Sequence, residues 1–223
     1  VVLGYESTLP VTLDEMIHHA RAVRRGAPGT FVVLDLPFLT YQVSPEEALR
    51  NAGRAMKEAG VQAVKLEGGS AATCATVDRL VAAGIPVMGH LGLTPQSVHA
   101  LGGYRVQGRG DGEAERLVGE ARALEEAGAF AIVLELMPAP LARRISEALT
   151  IPTVGIGAGP GCDGQVLVLY DALGLNPGFQ PRFLKRFAEL HREALEGVRD
   201  YVRQVREGRY PAREHSFDEP DAS

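Results

Sequence analysis

Apolar, β-branched runs alternate with helical stretches along most of this chain, and this alternation constrains the fold more than any other feature. The runs that predict buried strands are 31–38, 63–69, 86–93, 129–138 and 152–159, with a further candidate at 166–174. Most of the helical stretches between them end at a glycine. The pattern predicts a parallel sheet with right-handed crossovers, either doubly wound or closed into a (β/α)8 barrel.

The stretch between the first two runs carries the clearest helix signals. Ser44 predicts an N-cap, Pro45 stands at the first helical position and Glu47 completes a capping-box pattern. Gly60 follows the last turn. We therefore expect a helix between Ser44 and Gly60.

The end of the sequence has a different character. A long amphipathic stretch rich in Arg and Glu, from about residue 181 to 208, predicts one or two terminal helices. No linker-like or low-complexity segment interrupts the sequence. We therefore expect a single barrel domain over residues 1–223, with C-terminal helices from about residue 181.

Polar residues fall on one face of four predicted strands, near the carboxyl end of each strand. They are Asp35, Lys65, Glu67, His90 and Glu135. Alternate side chains of a strand point to opposite faces, and the other face of each strand is aliphatic. A ring of packed helices requires an aliphatic face, whereas the polar ends would meet at the mouth of a barrel. The parity therefore favours the barrel over the doubly wound sheet.

Each of these residues also has a purely structural interpretation. Asp35 alone would cap the next helix or sit in a solvated loop. Lys65 and Glu67 would neutralise each other as an ion pair, and His90 would be a satisfied core histidine. Glu135 has the weakest such alternative, because a methionine and a proline follow at once and leave it little chance to cap. The coincidence on four strands favours a functional site.

The residue types at this mouth limit the chemistry. Two carboxylates, Asp35 and Glu67, without a nearby thiol suit a hard cation such as Mg²⁺, completed by substrate and water. Such an ion would act as a Lewis acid on a chelating 2-oxo acid. Lys65 would balance the substrate carboxylate, and Glu135 would remove a proton from the carbon next to the ketone. The set predicts an enzyme that forms an enolate.

Two further segments have two interpretations each. The glycine-rich run GIGAG (155–159) would cradle a phosphate or serve close packing at a strand end. The long connection 92–112 is typical of a lid or an interface loop. Its candidate contacts are Tyr104, Arg105, Gln107 and Arg109.

Composition excludes several classes of protein. The net charge is -5 with a pI near 5.7, and no basic stripe with interleaved aromatic residues occurs, so we expect no nucleic-acid partner. Cys74 and Cys162 form no C-x-x-C pair, which favours a reducing compartment over disulfides or zinc. No long apolar run or secretory pattern occurs. We therefore expect a cytoplasmic protein without a membrane partner that acts on a small molecule.

Nine short segments together resemble one known family. They are STLPVT (7–12), AVRRGAP (22–28), DLPF (35–38), KLEGG (65–69), GHLGLTPQSV (89–98), GGYRVQGRG (102–110), GIGAG (155–159), DGQVLV (163–168) and EHSF (214–217). In this order they resemble the 3-methyl-2-oxobutanoate hydroxymethyltransferases, also called ketopantoate hydroxymethyltransferases. The resemblance covers essentially the whole chain.

The resemblance implies a (β/α)8 TIM barrel of the phosphoenolpyruvate/pyruvate type. It also implies transfer of a hydroxymethyl group from 5,10-methylenetetrahydrofolate to 3-methyl-2-oxobutanoate in pantothenate biosynthesis. By motif, Asp35 would bind Mg²⁺ and the oxo acid, and Lys65 would bind the oxo acid. Glu67 would belong to the Mg²⁺ shell, Glu135 would be the proton acceptor and His90 would lie beside the substrate. Members are cytoplasmic homo-oligomers, typically decamers.

One part of the family pattern is absent from this sequence. Members normally have a first β/α unit and a second strand ending in Gly-Asp-Ser before the point that corresponds to Val1. That Asp is a further metal ligand, and that Ser contacts the oxo acid. We therefore expect a barrel without these elements in this sequence and a metal shell whose remaining protein ligand lies upstream of Val1.

Three other functions stay open. The first is a lyase or mutase that acts on a related oxo acid in the same barrel superfamily. The second is a Schiff-base aldolase acting through Lys65, which is disfavoured because Glu67 on the same face should keep the amine protonated. The third is a non-catalytic scaffold that binds the oxo acid or an assembly partner.

Overall fold

The computed structural model describes residues 2–217, in which strands and helices alternate. The strands are β1 (Val33–Asp35), β2 (Ala63–Lys65), β3 (Val87–Gly92), β4 (Ala131–Glu135), β5 (Thr153–Ile156) and β6 (Gly164–Gln165). The helices are α1 (Leu13–Gly26), α2 (Pro45–Arg54), α3 (Ala71–Ala82), α4 (Asp111–Glu126), α5 (Ala139–Ala148), α6 (Leu169–Ala172) and α7 (Leu190–Arg206).

The sheet has the strand order of a barrel. Its six strands lie in the order β1-β2-β3-β4-β5-β6, and every neighbouring pair is parallel. A doubly wound sheet would reverse its order at a switch point. The sequential order instead follows from repeated crossovers in one direction, as in a TIM barrel. The predicted α/β barrel class is confirmed.

The aliphatic faces of the strands pack into the main core, as their parity predicted. The strand residues of this core are Leu34, Val64, Val87, Leu91, Ile132 and Leu134, with Leu36 and Leu66 just beyond the strand ends. All of them are at most 2% exposed. Helix residues such as Val77, Leu124 and Ile145 complete the core. Each buried aliphatic side chain stabilises the fold by about 1.5–3 kcal/mol, so this face holds the helices on the sheet.

The helix between Ser44 and Gly60 is confirmed, with one irregular turn. The Ser44 hydroxyl accepts a hydrogen bond from the Glu47 amide at 3.1 Å, and Pro45 is the first helical residue. The segment Ala55–Ala59 continues α2 as a π-helical turn. Gly60 then ends it in the left-handed conformation, with φ of 69°.

The sequence analysis did not predict α1, although its start has a complete capping box. The Glu15 amide donates to the Thr12 hydroxyl at 3.3 Å, and the Thr12 amide donates to Glu15 Oε2 at 2.8 Å. Three buried residues hold the helix on the core: Leu13, Ile17 and Ala20. The Thr-x-x-Glu pattern at 12–15 was the signal that could have identified it.

The candidate sixth strand at 166–174 was wrong in its position. The observed strand β6 ends at Gln165, and the Val166 amide makes one further bond to the Gly155 carbonyl at 3.0 Å. The backbone then turns helical, because the Ala172 amide donates to the Val168 carbonyl at 2.9 Å. The apolar run therefore contains the helix α6 rather than a strand.

The described residues form two compact units, 2–166 and 167–217, and the first contains the whole sheet. The single domain over 1–223 stays a prediction, and its ends, Val1 and 218–223, lie outside the described residues. No helix of the described part is long and apolar enough to cross a membrane.

The prediction of helix from about residue 181 was wrong for 181–189, because α7 begins only at Leu190. The Phe187 amide donates to the Ala172 carbonyl at 2.7 Å, and the Leu190 amide donates to the Leu173 carbonyl at 3.1 Å. The end of α6 therefore satisfies backbone groups that would otherwise bond within a longer helix.

Candidate active site

The five polar residues predicted from strand parity lie together at the carboxyl end of the sheet. Asp35 ends β1, Lys65 ends β2 and Glu135 ends β4. Glu67 follows β2 by two residues, and His90 lies inside β3. Asp35 and Lys65 are register partners on neighbouring strands. The barrel fold thus places these side chains where barrel enzymes have their active sites.

Lys65 connects two of the other residues. Its Nζ lies 2.9 Å from Asp35 Oδ1 and 3.0 Å from His90 Nδ1. Asp35, not Glu67, is therefore the ion-pair partner of Lys65 at this distance. Because an ammonium group only donates hydrogen bonds, His90 Nδ1 accepts, and we assign the ring proton to Nε2.

His90 is a buried neutral imidazole between Lys65 and Glu135. Burial, followed by the Lys65 ammonium, holds the pKa of His90 well below its ordinary value. Its Nε2 lies 3.1 Å from Glu135 Oε2 without good hydrogen-bond alignment, and its Nδ1 lies 4.0 Å from Glu67 Oε1. These are contacts of a neutral ring and not ion pairs. His90 therefore carries an N–H toward Glu135.

The buried Glu67 and the half-buried Glu135 both have raised pKa values. Burial raises the pKa of Glu135 to about 7, and the Lys65 ammonium opposes that rise. Burial also raises the pKa of Glu67 to about 7, with Lys65 opposing it and the Asp35 charge adding to it. A carboxylate of this pKa is a much stronger base than an exposed glutamate, and part of it is still ionised at pH 7.

Asp35 and Glu67 fit a hard cation. Asp35 Oδ1 is a buried atom without an aligned hydrogen bond, and both residues offer the oxygen ligands that Mg²⁺ prefers. No group of three or more His, Cys, Asp or Glu side chains among residues 2–217 is arranged to hold a metal. Mg²⁺ often takes one or two protein carboxylates and fills its shell with substrate and water. The two carboxylates suit that kind of site.

Two residues beside Glu67 escaped the sequence analysis. The Gln96 amide nitrogen of the main chain donates to Glu67 Oε2 at 3.0 Å, and the Glu67 main-chain amide donates to the Tyr41 hydroxyl at 3.1 Å. Burial raises the pKa of Tyr41, so its hydroxyl keeps its proton. Both lie in loops without a period, and only the PQS of the resemblance motif at 95–97 hinted at Gln96.

The long connection 92–112 has one buried member among its four candidate contacts. Gln107 is buried, and its main-chain amide donates to the Leu136 carbonyl at 2.9 Å. Tyr104, Arg105 and Arg109 are exposed. Leu136 has a φ of 47°, a left-handed conformation that is costly for a leucine. The connection is therefore hydrogen-bonded to the residue that follows Glu135 in the sequence. Its role as a lid or interface stays a prediction.

The glycines of the GIGAG run show a packing requirement. A Cβ on Gly159 would lie 2.3 Å from the Ala139 Cβ, and a Cβ on Gly155 would lie 3.0 Å from Cys162 Sγ. Gly159 also has a φ of 74°. Close packing at a strand end, the second interpretation of this run, therefore accounts for these two glycines.

Solved structures define the class to which this fold belongs. One is a 2,3-dimethylmalate lyase described as a PEP mutase/isocitrate lyase superfamily member, with a TM-score of 0.55, 19% identity and coverage of 96% of this chain and 73% of that chain. Another is the phosphoenolpyruvate phosphomutase of Streptomyces platensis subsp. rosaceus, with a TM-score of 0.54, 14% identity and coverage of 93% and 74%. At such identities the likeness concerns the fold alone, an α/β barrel of the TIM type.

Sequence comparisons then define the family. The model of the ketopantoate hydroxymethyltransferase family matches residues 1–213. The 3-methyl-2-oxobutanoate hydroxymethyltransferase of Syntrophus aciditrophicus (strain SB) is 57% identical over 217 residues, which cover 97% of this chain and 79% of that protein. The one from Moorella thermoacetica (strain ATCC 39073 / JCM 9320) is 59% identical, with coverage of 97% and 80%. The chain belongs to the ketopantoate hydroxymethyltransferase family, as its motifs implied, and is a transferase enzyme.

Proposed function

We propose that this protein forms 2-dehydropantoate from 3-methyl-2-oxobutanoate, with 5,10-methylenetetrahydrofolate as the one-carbon donor. The names of its relatives support this reaction. The observation that carries the chemistry is the row of contacts from Lys65 through His90 to Glu135, with distances of 3.0 and 3.1 Å. This row combines a cation for the substrate carboxylate with a half-buried base for the neighbouring carbon.

The reaction starts at the carbon next to the ketone. Glu135 removes the C3 proton of the oxo acid, which is feasible near pH 7 because burial raises the pKa of this carboxyl to about 7. Water hydrolyses the methylene bridge of the folate: its oxygen bonds to the methylene carbon, both C–N bonds of that carbon break, and its two protons pass to the two nitrogens, which releases formaldehyde and tetrahydrofolate. The carbon nucleophile then attacks formaldehyde and forms the new C–C bond, and Glu135 returns its proton to the alkoxide, which becomes the hydroxyl of the transferred hydroxymethyl group.

The remaining residues bind and orient. Lys65 balances the substrate carboxylate: its side chain is half-buried, and its ammonium lies at the carboxyl end of the sheet, 2.9 Å from Asp35 Oδ1. Asp35 and Glu67 would hold Mg²⁺, which supplies Lewis acidity to the oxo group when bound. The neutral His90 lies with its Nε2 3.1 Å from Glu135 Oε2 and limits where that carboxylate can move.

Deuterium exchange at C3 of 3-methyl-2-oxobutanoate tests the proposal without the folate. We expect Mg²⁺-dependent exchange in the unsubstituted protein, followed by NMR, and a loss of about 100-fold or more in Glu135→Gln because the base is gone. Glu126→Gln, a change to an exposed carboxyl at the end of α4, is the matched control. No exchange in the unsubstituted protein would refute enolate formation.

The donor and the assembly are tested separately. We propose 5,10-methylenetetrahydrofolate as the cosubstrate, a homo-oligomer that is decameric, and a cytoplasmic location, all on the family resemblance. Product formation that requires this folate, measured by mass spectrometry, supports the first. Sedimentation velocity measures the second, and a monomer at micromolar concentration would contradict it.

A further inference from the structure

A buried pair, Tyr41 and Gln96, lies beside Glu67 and has no part in the mechanism above. Tyr41 is 3% exposed, Gln96 is 8% exposed and Glu67 is 7% exposed. Tyr41 belongs to the loop after β1, and Gln96 belongs to the short 3-10 helix Pro95–Ser97 after β3. The pair therefore meets Glu67 from two different loops.

The pair bonds to both the side chain and the main chain of Glu67. The main-chain amide of Gln96 donates to the Glu67 carboxylate at Oε2, at 3.0 Å. The Tyr41 hydroxyl accepts from the Glu67 main-chain amide at 3.1 Å and donates to Gln96 Oε1 at 2.9 Å. Side chain and backbone of Glu67 are thus tied to the same two residues. This arrangement leaves Oε1 of Glu67 as the oxygen that these two residues do not contact.

The side-chain amide of Gln96 can be oriented in only one way. Its Nε2 donates to the Leu36 carbonyl at 2.8 Å, whereas its Oε1 accepts from the Tyr41 hydroxyl and from Gln42 Nε2 at 3.0 Å. If the amide were flipped, Gln96 Nε2 would face another donor, Gln42 Nε2, and Gln96 Oε1 would face the Leu36 carbonyl oxygen. The Tyr41 hydroxyl and both polar atoms of the Gln96 side chain therefore have hydrogen-bond partners. Buried polar networks of this kind hold their side chains in a single conformation.

The network ends on Leu36, the residue after Asp35, so it joins the main chain beside one candidate metal ligand to the carboxylate of the other. Groups that hydrogen-bond to metal ligands orient them, and their loss weakens metal binding. We propose that Tyr41 and Gln96 are positioning residues that hold the Glu67 carboxylate toward the cation of the active site. The proposal deepens the proposed function and rests on it.

Tyr41→Phe is the main test, because it removes only the hydroxyl that bonds to Gln96 Oε1 and to the Glu67 main-chain amide. We expect the Mg²⁺ concentration for half-maximal C3 exchange to rise by about 10- to 100-fold, as for other groups that support metal ligands. The exchange rate at saturating Mg²⁺ should recover. A merely structural role would lower the amount of folded protein and leave the half-saturating Mg²⁺ concentration unchanged.

Gln96→Glu is the second test, because it keeps the shape and replaces the donor to the Leu36 carbonyl by an oxygen. We expect the same rise in the Mg²⁺ requirement. Gln180→Ala is the surface control, since Gln180 is exposed and makes no bond in this network. Thr153→Val removes another buried hydroxyl, whose partners Ser146 and Asp163 belong to a separate cluster. Both controls should keep the Mg²⁺ requirement of the unsubstituted protein.

Calorimetric titration with MgCl₂ in the presence of the oxo acid gives a readout that does not depend on activity. Weaker Mg²⁺ binding in both network variants, with unchanged binding in both controls, supports the proposal. Unchanged binding in Tyr41→Phe, or an equal loss in Thr153→Val, overturns it. If the unsubstituted protein binds Mg²⁺ but exchanges no deuterium, the proposed function fails while the titrations still decide the role of the pair.

Discussion

Lys65 dominates the electrostatics of the site because it is a single cation among several acids. Its ammonium is 2.9 Å from Asp35, and it lowers the pKa of both Glu67 and Glu135 against the effect of burial. It also lowers the pKa of His90. Lys65 therefore favours the ionised form of both glutamates and the neutral form of the His90 imidazole.

The pH profile of C3 exchange should report Glu135. The base is its carboxylate form, so the exchange rate should rise as pH increases through about 7 and level off above it. The measurement is the exchange rate at saturating oxo acid and Mg²⁺, where a bound cation would keep Glu67 ionised. A rate that is flat between acid and alkaline pH would contradict this assignment.

Lys65→Met should move that profile to higher pH, because the charge that lowers the pKa of Glu135 is removed. It should also weaken binding of the oxo acid by about 10- to 100-fold, the value of a hydrogen bond to a charged group. Lys65→Arg keeps the charge and should keep the midpoint. Lys57→Met, at an exposed position, is the control for loss of a lysine. A midpoint that moves to lower pH would refute the role of Lys65.

At the scale of elements, the end of β3 packs against the main chain of Glu135 at the end of β4. Gly92 pairs with Glu135, and the Leu93 amide donates to the Glu135 carbonyl at 2.9 Å. A Cβ on Gly92 would lie 2.1 Å from that carbonyl oxygen, and the φ of Gly92 is 93°. The glycine thus allows the contact between strands that sets the backbone of Glu135.

Gly92→Ala should therefore force β3 and β4 apart. We expect a loss of about 3 kcal/mol or more in the free energy of unfolding, from overpacking and from the left-handed backbone, together with a loss of exchange activity. Gly89→Ala in the same strand is the matched control, since its Cβ would meet the flexible end of Leu124 at 2.9 Å. Urea denaturation measures both, and equal losses would contradict the backbone explanation.

Some ends of the helices could be predicted from nearby residues, and others could not. Caps such as Ser44 and Gly60 act within a few residues, so the helix between them was predictable from sequence. The start of α7 was not, because amides of 187–190 bond to carbonyls of α6, and no local pattern encodes such a partner.

At the scale of the whole molecule, the two faces of each strand have different roles. One face packs into the core, and the other carries the polar residues of the candidate site. Leu134 is fully buried in the main core, whereas its neighbour Glu135 faces His90. The first side chain stabilises the fold by burial. Glu135 weakens the fold at neutral pH, because ionising a carboxyl that is largely removed from water is costly.

Neighbouring substitutions should therefore have opposite effects. Leu134→Ala should lower the free energy of unfolding by about 2–5 kcal/mol. Glu135→Gln should raise it at pH 8 by up to about 3 kcal/mol. The folded pKa of about 7 lies above that of the unfolded chain, so the stability contributed by the protonated carboxyl is lost as pH rises through 7. The stability gained by Glu135→Gln should disappear below pH 4. A gain that is larger at low pH than at pH 8 would contradict a raised pKa of Glu135 in the folded protein.

The sequence by itself determined the parallel α/β architecture and which five polar residues face the same end of the sheet. Both depend on periodicity, because alternation along a strand assigns each side chain to a face before any partner is known. Only the tertiary structure decided that Lys65 pairs with Asp35 and that the carboxylate of Glu67 is held by Gln96. Those contacts join residues on different strands and loops, and no local pattern in the sequence specifies the distances between them.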